Sequence, residues 1–179
     1  MVGIKAAQHS DSQNADRQLC LDFYSEEEKI RARFYCNPGC RILDMLNKPH
    51  PGTAEQDIFI ELTNNATHEE FYIHRDVILF VAADNANTAR GLGSNSGSKQ
   101  YPVVQKTPER INIQLKSYRL VGQAHLAKNM TLKSTLAENA PFLPLTDVMI
   151  IHNSKMIDER PFVAVNKSKI SSVKKEFIY

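Results

Sequence analysis

The chain has 179 residues, 42% of them hydrophobic and 23% charged, and its net charge is +2. That length allows one domain or two small ones, and the composition is that of an ordinary globular protein rather than a disordered or fibrous one. No apolar run approaches the ~18 residues of a membrane span, and the polar opening MVGIKAAQHSDSQNADRQ lacks the apolar segment of a secretory leader, so a cytoplasmic protein is expected.

Residues 1–18 read as a mobile N-terminal tail. LCLDFY (19–24) alternates apolar and polar residues and predicts a strand, SEEE a turn, and KIRARFYC (29–36) the hairpin partner. NPG (37–39) is a turn. In CRILDMLN (40–47), Ile42, Leu43 and Leu46 are spaced for one side of a short helix. DIFIELT predicts a strand, NNATHEE a loop, and EFYIHR and VILFVA two nearly contiguous strands. Residues 84–110 are rich in Gly, Ser and Asn and read as a flexible linker. GLGSNSG within it has neither the spacing nor the strand-to-helix context of a phosphate loop. The order then recurs: strands in RINIQLKS and YRLVGQAHL, a helical turn at TLKSTLAE, and strands in FLPLTDVMIIH, PFVAVNK and KISSVKKE.

This recurrence is an internal repeat. Phe59, Leu62 and Thr63 match Phe142, Leu145 and Thr146 at an offset of 83. Ile42 and Leu46 match Leu132 and Leu136 at 90, and Ile73, Arg75, Ile78 and Val81 match Val165, Lys167, Ile170 and Val173 at 92. LCLDF (19–23) lies against INIQL (111–115), also at 92. The offsets change at KPHPGTAEQD in the first copy and NSKMIDER in the second, polar stretches that predict surface loops. The expected fold is therefore mainly β. It consists of two tandem copies, 19–83 and 111–176, each a five-stranded small barrel or strongly bent sheet with one short helix. A unit of about 60 residues is marginal alone, so the copies are expected to pack on each other or on other chains.

No catalytic set emerges, and neither a metal nor a cofactor is expected. Cys20, Cys36 and Cys40 lack a strong zinc spacing, and Leu126 and Met130 stand where the second copy matches Cys36 and Cys40. His9, His50, His68, His74, His125 and His152 form no close pair at ligand spacing. No Ser or Cys occupies a nucleophile elbow, and Glu26, Glu27 and Glu28 are consecutive and point apart.

At FYIHRDVILFV and VAVNKSKISSV the pattern resembles the end of the Sm and Sm-like fold, where two strands meet at an Arg-Gly turn. LVGQAHL (120–126) likewise resembles that family's second strand. FLPLTDV and FVAVNK also look like a family of small bacterial proteins of unknown function. The Sm resemblance implies RNA binding at the strand-to-strand turns, here His74, Arg75, Asn166 and Lys167. The family's glycine is missing from both turns, and its upstream Asn-bearing loop is replaced by CRILDMLN and TLKSTLAE.

Charge separates the copies. Residues 1–90 hold 9 Lys and Arg against 14 Asp and Glu, net −5, whereas residues 91–179 hold 13 against 6, net +7. Opposed charge steers head-to-tail contact, and a basic second half permits contact with nucleic-acid backbone. The expectation is a non-enzymatic module that binds or scaffolds a protein partner or a homo-oligomer. The alternative is an Sm-like RNA-binding protein, and the third reading a ligand-sensing regulatory domain.

Overall fold

A computed structural model describes residues 18–36, 41–47, 58–85, 88 and 105–176. The tail 1–17, the NPG turn, KPHPGTAEQ and most of the linker lie outside the described residues.

In the first half, β1 (Gln18–Tyr24) and β2 (Lys29–Tyr35) form a hairpin, followed by helix α1 (Ile42–Asn47). Next come β3 (Phe59–Asn64), β4 (Glu70–His74), a 3-10 turn at Arg75–Val77 and β5 (Phe80–Ala83). The second half holds β6 (Lys106–Leu115), β7 (Tyr118–Ala127), α2 (Leu132–Ala137), β8 (Phe142–His152) and β9 (Lys155–Asn166). A 3-10 turn at Lys167–Lys169 and β10 (Ser172–Lys175) complete it. Thr131 and Ser134 start α2 by exchanging side-chain-to-backbone hydrogen bonds, which satisfies N–H groups that the helix cannot. β6 opens at Lys106, so 106–110, read from sequence as the end of the linker, are strand.

Among the described residues, ten strands join one antiparallel sheet in the order β10-β6-β7-β8-β9-β5-β1-β2-β3-β4. Each half thus reads fifth, first, second, third, fourth. The expected pair of small barrels is not formed: neither β4–β5 nor β9–β10 pair, and β5 pairs with β9 of the other half instead. The physical reason lies in the strands themselves. FVAA of β5 and VAV of β9 are apolar at every position, and a sheet joint covered on both faces is where such runs are stable.

Several ladder pairs of the two halves stand at like places. Arg33 faces Thr63, and Gln123 faces Thr146. Phe59 faces His74, and Phe142 faces Asn166. The first strands need a correction. Leu21 faces Ala83, while Lys175, the match of Ala83, faces Ile111, which places β6 at an offset of 90 rather than 92. A slip of two residues keeps every side chain on its own face, so alternation could not reveal it. At that offset the two hairpins match residue for residue, the pair Tyr24 and Lys29 corresponding to Gln114 and Arg119.

NSKMIDER is a second correction, since it is not a loop. β8 and β9 extend as a hairpin closed by Asn153 (φ 48°) and Ser154 (φ 66°), the two positive φ values of the tightest hairpin turn. The extension passes a register shift where Gly122 of β7 stands opposite two residues of β8, Asp147 and Val148. A side chain on Gly122 would meet Val148 Cγ2 at 2.9 Å and the Thr146 carbonyl at 3.1 Å.

Two apolar cores lie on opposite sides of the joint. Phe80 and Ala82 of β5, with Val163 and Val165 of β9, enter the core built mainly by the second half. Val81, Ala83 and Ala164 enter the core built mainly by the first, together with Phe142. Successive residues pointing to opposite faces make one strand a member of both cores.

Candidate functional site

The four residues singled out from sequence occupy equivalent corners. His74 Nδ1 accepts a hydrogen bond from Asp76 N at 3.1 Å, and Asn166 Oδ1 accepts one from Ser168 N at 3.1 Å, so each starts its 3-10 turn. The structure brings the two corners together unequally. Asn166 is only 3% exposed; its Nδ2 donates to the carbonyls of Arg75 (3.2 Å) and Ile78 (2.9 Å) across the joint. Its backbone N–H donates to Leu79 O at 3.0 Å. Lys167 donates to the Glu138 carbonyl, and burial moves its ammonium below the usual lysine range, against the pull of Glu138. His74 stays at the outer edge, stacked edge-on against Phe59 with ring centres 5.0 Å apart.

A second clip holds the joint. Asn47, ending α1, donates to the Phe142 carbonyl at 3.3 Å and accepts from the Phe142 N–H at 2.8 Å. Phe142 is thereby sealed at 1% exposure.

On the other side of the joint lies an ion network invisible to motif reading. Asp22 is 0% exposed and receives Arg160 at 2.7 Å, Lys29 at 2.9 Å and Arg31 at 3.2 Å. Asp84 also binds Arg31 and Arg160, and Arg160 pairs with Asp158 at 2.7 Å. Three carboxylates and three cations balance, which is what a buried charge requires. Burial alone would lower the Lys29 ammonium, but the Asp22 hydrogen bond and the neighbouring Tyr24 and Asp22 charges outweigh it and leave it raised. Burial raises the Tyr24 and Tyr118 hydroxyls above the ordinary tyrosine range, with Lys29 opposing in both. An Asp inside the apolar strand LCLDFY was the available signal. Its partner Arg160, 138 residues away, carried none.

The outer edges differ from the joint. Large apolar side chains are exposed at the β3–β4 end: Ile58, Phe59 (50%), Tyr72 (65%) and Val77. At the far edge β10 presents Lys174 and Lys175. Among the described residues, no other strand pairs with the outer side of β4 or β10.

The remaining candidates are scattered. His125 bonds Thr146 Oγ1 at 2.8 Å, Cys20 is a half-buried thiol and Cys36 is buried. Among the described residues no three His, Cys, Asp or Glu side chains are grouped to hold a metal ion, and no helix is long and apolar enough to cross a membrane. A cavity of about 170 Å³ at the joint is lined by Leu43, Asn47, His125, Phe142 and Lys167, among others. No family model matches the chain, and no curated protein or solved structure does.

Proposed function

We propose that the protein is a non-enzymatic scaffold, built from two copies of one β module, that assembles through its sheet edges with protein partners or with itself. The observation that carries this reading is the β4 edge, where an open strand lies beside exposed Ile58, Phe59, Tyr72 and Val77. An exposed apolar patch at a strand edge that is not blunted marks a contact surface. Duplication is supported by the equal strand order of the halves and by His74 and Asn166 capping equivalent turns.

The RNA reading draws less support from the same corners. Asn166 spends its amide on two backbone carbonyls and Lys167 its ammonium on a third, so neither side chain is aimed at a base. The test is sedimentation of the native protein, alone and with whatever co-purifies. The expected result is species heavier than the monomer that Phe59→Glu with Tyr72→Glu removes. A lone monomer under all conditions, or a complex indifferent to this double change, overturns the proposal.

A further inference from the structure

We infer that the partner of the β4 edge is the β10 edge of a second copy of this chain, joined in the register of the internal β5–β9 ladder. The inference rests on the scaffold reading above and names its partner.

The internal joint supplies the template. β9 is the fourth strand of its half and β5 the fifth strand of the other, and they pair antiparallel with Val81 facing Ala164 and Ala83 facing Phe162. The outer edges are the two strands left over: β4, a fourth strand, and β10, a fifth. Moved by the same offset of 92, the register sets Val173 against Tyr72 and Lys175 against Glu70.

Backbone polarity agrees. Arg75 N donates to Ile58 O, and Asn64 N to Glu69 O. In an antiparallel ladder inward and outward groups alternate, so Phe71 and Ile73 bond β3 while Glu70, Tyr72 and His74 point outward. Glu176 N donates to Arg110 O, which by the same alternation turns Val173 and Lys175 outward. The residues that the transposed register makes face each other are the ones with free outward backbone groups. A one-residue slip would lose this match.

Side chains agree as well. Glu70 meets Lys175, whose ammonium pairs with Glu109 in the monomer and would bridge both carboxylates, in line with the −5 and +7 halves. His74 takes the place of Asn166. Its Nδ1 already accepts from Asp76 N, which leaves Nε2–H to donate across the new joint as Asn166 Nδ2 does across the old one. Tyr72 and Phe59, exposed here, correspond to Ala164 and Phe142, which the internal joint buries. One element is missing: Asn47, which clips Phe142, corresponds to Ala137, which has no amide. The outer joint is therefore weaker than the inner one and sensitive to salt. Because it joins unlike edges, it is head-to-tail and continues into a ring or a filament.

The experiment blocks one edge at a time in the full chain. Tyr72→Pro and Lys175→Pro each remove an outward N–H from an edge strand, where proline is tolerated. Sedimentation velocity should show the wild type associating, each variant alone as a monomer, and their equimolar mixture as a dimer that grows no further. Charge reversal covers the case in which a proline variant misfolds. Glu70→Lys and Lys175→Glu should each associate at least tenfold more weakly alone, and mixing them should restore assembly. Association of either proline variant by itself would mean like-edge pairing and overturn the inference. A monomeric mixture would overturn it too, and if other proteins still bound the β4 edge the scaffold reading would stand without it.

Discussion

The inner joint and the two outer edges are made from the same strands in the two halves, yet their side chains are opposite in character. At the joint, Phe80, Val81, Ala82 and Ala83 are all buried; at the matching places of β10 stand Ser172, Val173, Lys174 and Lys175. Ala164 is buried in β9, while its match in β4 is the exposed Tyr72. One backbone plan thus serves as a permanent contact where both faces are apolar, and as an open surface where they are charged and aromatic. The comparison teaches that a fourth-to-fifth strand contact gains its permanence from side chains, since the hydrogen-bonding pattern is available at both sites.

The largest expected effects test whether the halves are equivalent where they should be. Leu62 and Leu145 are both buried, and each truncation to Ala should cost about 2–5 kcal/mol. Urea melts in which one variant loses less than ~0.5 kcal/mol would break the equivalence at that position. Ile78 and Ile170 sharpen the contrast: Ile78 is fully buried at the joint, whereas Ile170 is only partly buried beside the open edge. Ile78→Ala should cost about 3 kcal/mol and Ile170→Ala about 1 kcal/mol, and equal costs would remove the distinction.

The capping pair comes next. Asn166→Ala leaves the buried Ile78 carbonyl without its side-chain donor and the Arg75 carbonyl with the Ile78 N–H alone, and should cost about 1–3 kcal/mol. His74→Ala loses an exposed turn cap and an exposed edge-on contact with Phe59, together about 0.5–1 kcal/mol. Thermal melts giving the reverse order would contradict the assignment of Asn166 as the staple of the joint.

Much of this contrast was legible in the chain. Alternation in LCLDFY and RINIQLKS gave strands, and the matched Phe-x-x-Leu-Thr blocks gave the register of β3 and β8. What was illegible has physical causes. A slip of two residues leaves alternation intact, so the placement of β6 against β1 awaited the ladders. NSKMIDER looked like a loop because a tight turn and an exposed strand end share polar residues. The β5–β9 joint is reinforced by Asp22 with Arg160 and Asn47 with Phe142, contacts between residues far apart that no local pattern encodes. Asn166 was singled out as a ligand-binding residue from its turn, and only burial shows that it holds the backbone.

The smallest effect concerns pH and separates the joint from the edges. Tyr24, Tyr118 and Lys29 are all raised in the folded protein, from ordinary values of 10.0, 10.0 and 10.5. A raised value means that the folded state holds its proton more tightly, so this stabilisation is full below about pH 10 and is lost as pH climbs through the folded values. Lys167 is lowered and contributes in the opposite sense. Melting temperature should fall above pH 10, less steeply in Tyr24→Phe. An identical alkaline slope in the variant would take Tyr24 out of the account.

The most direct measurement of the central claim is amide hydrogen exchange at two protein concentrations. The amides of Val81, Ala83, Phe162 and Ala164 face each other within the joint and should be protected at both concentrations. Those of Glu70, Tyr72, Val173 and Lys175 should exchange freely in dilute protein and become protected together in concentrated protein. Heavier species that form while these edge amides stay unprotected would contradict assembly through the sheet edges.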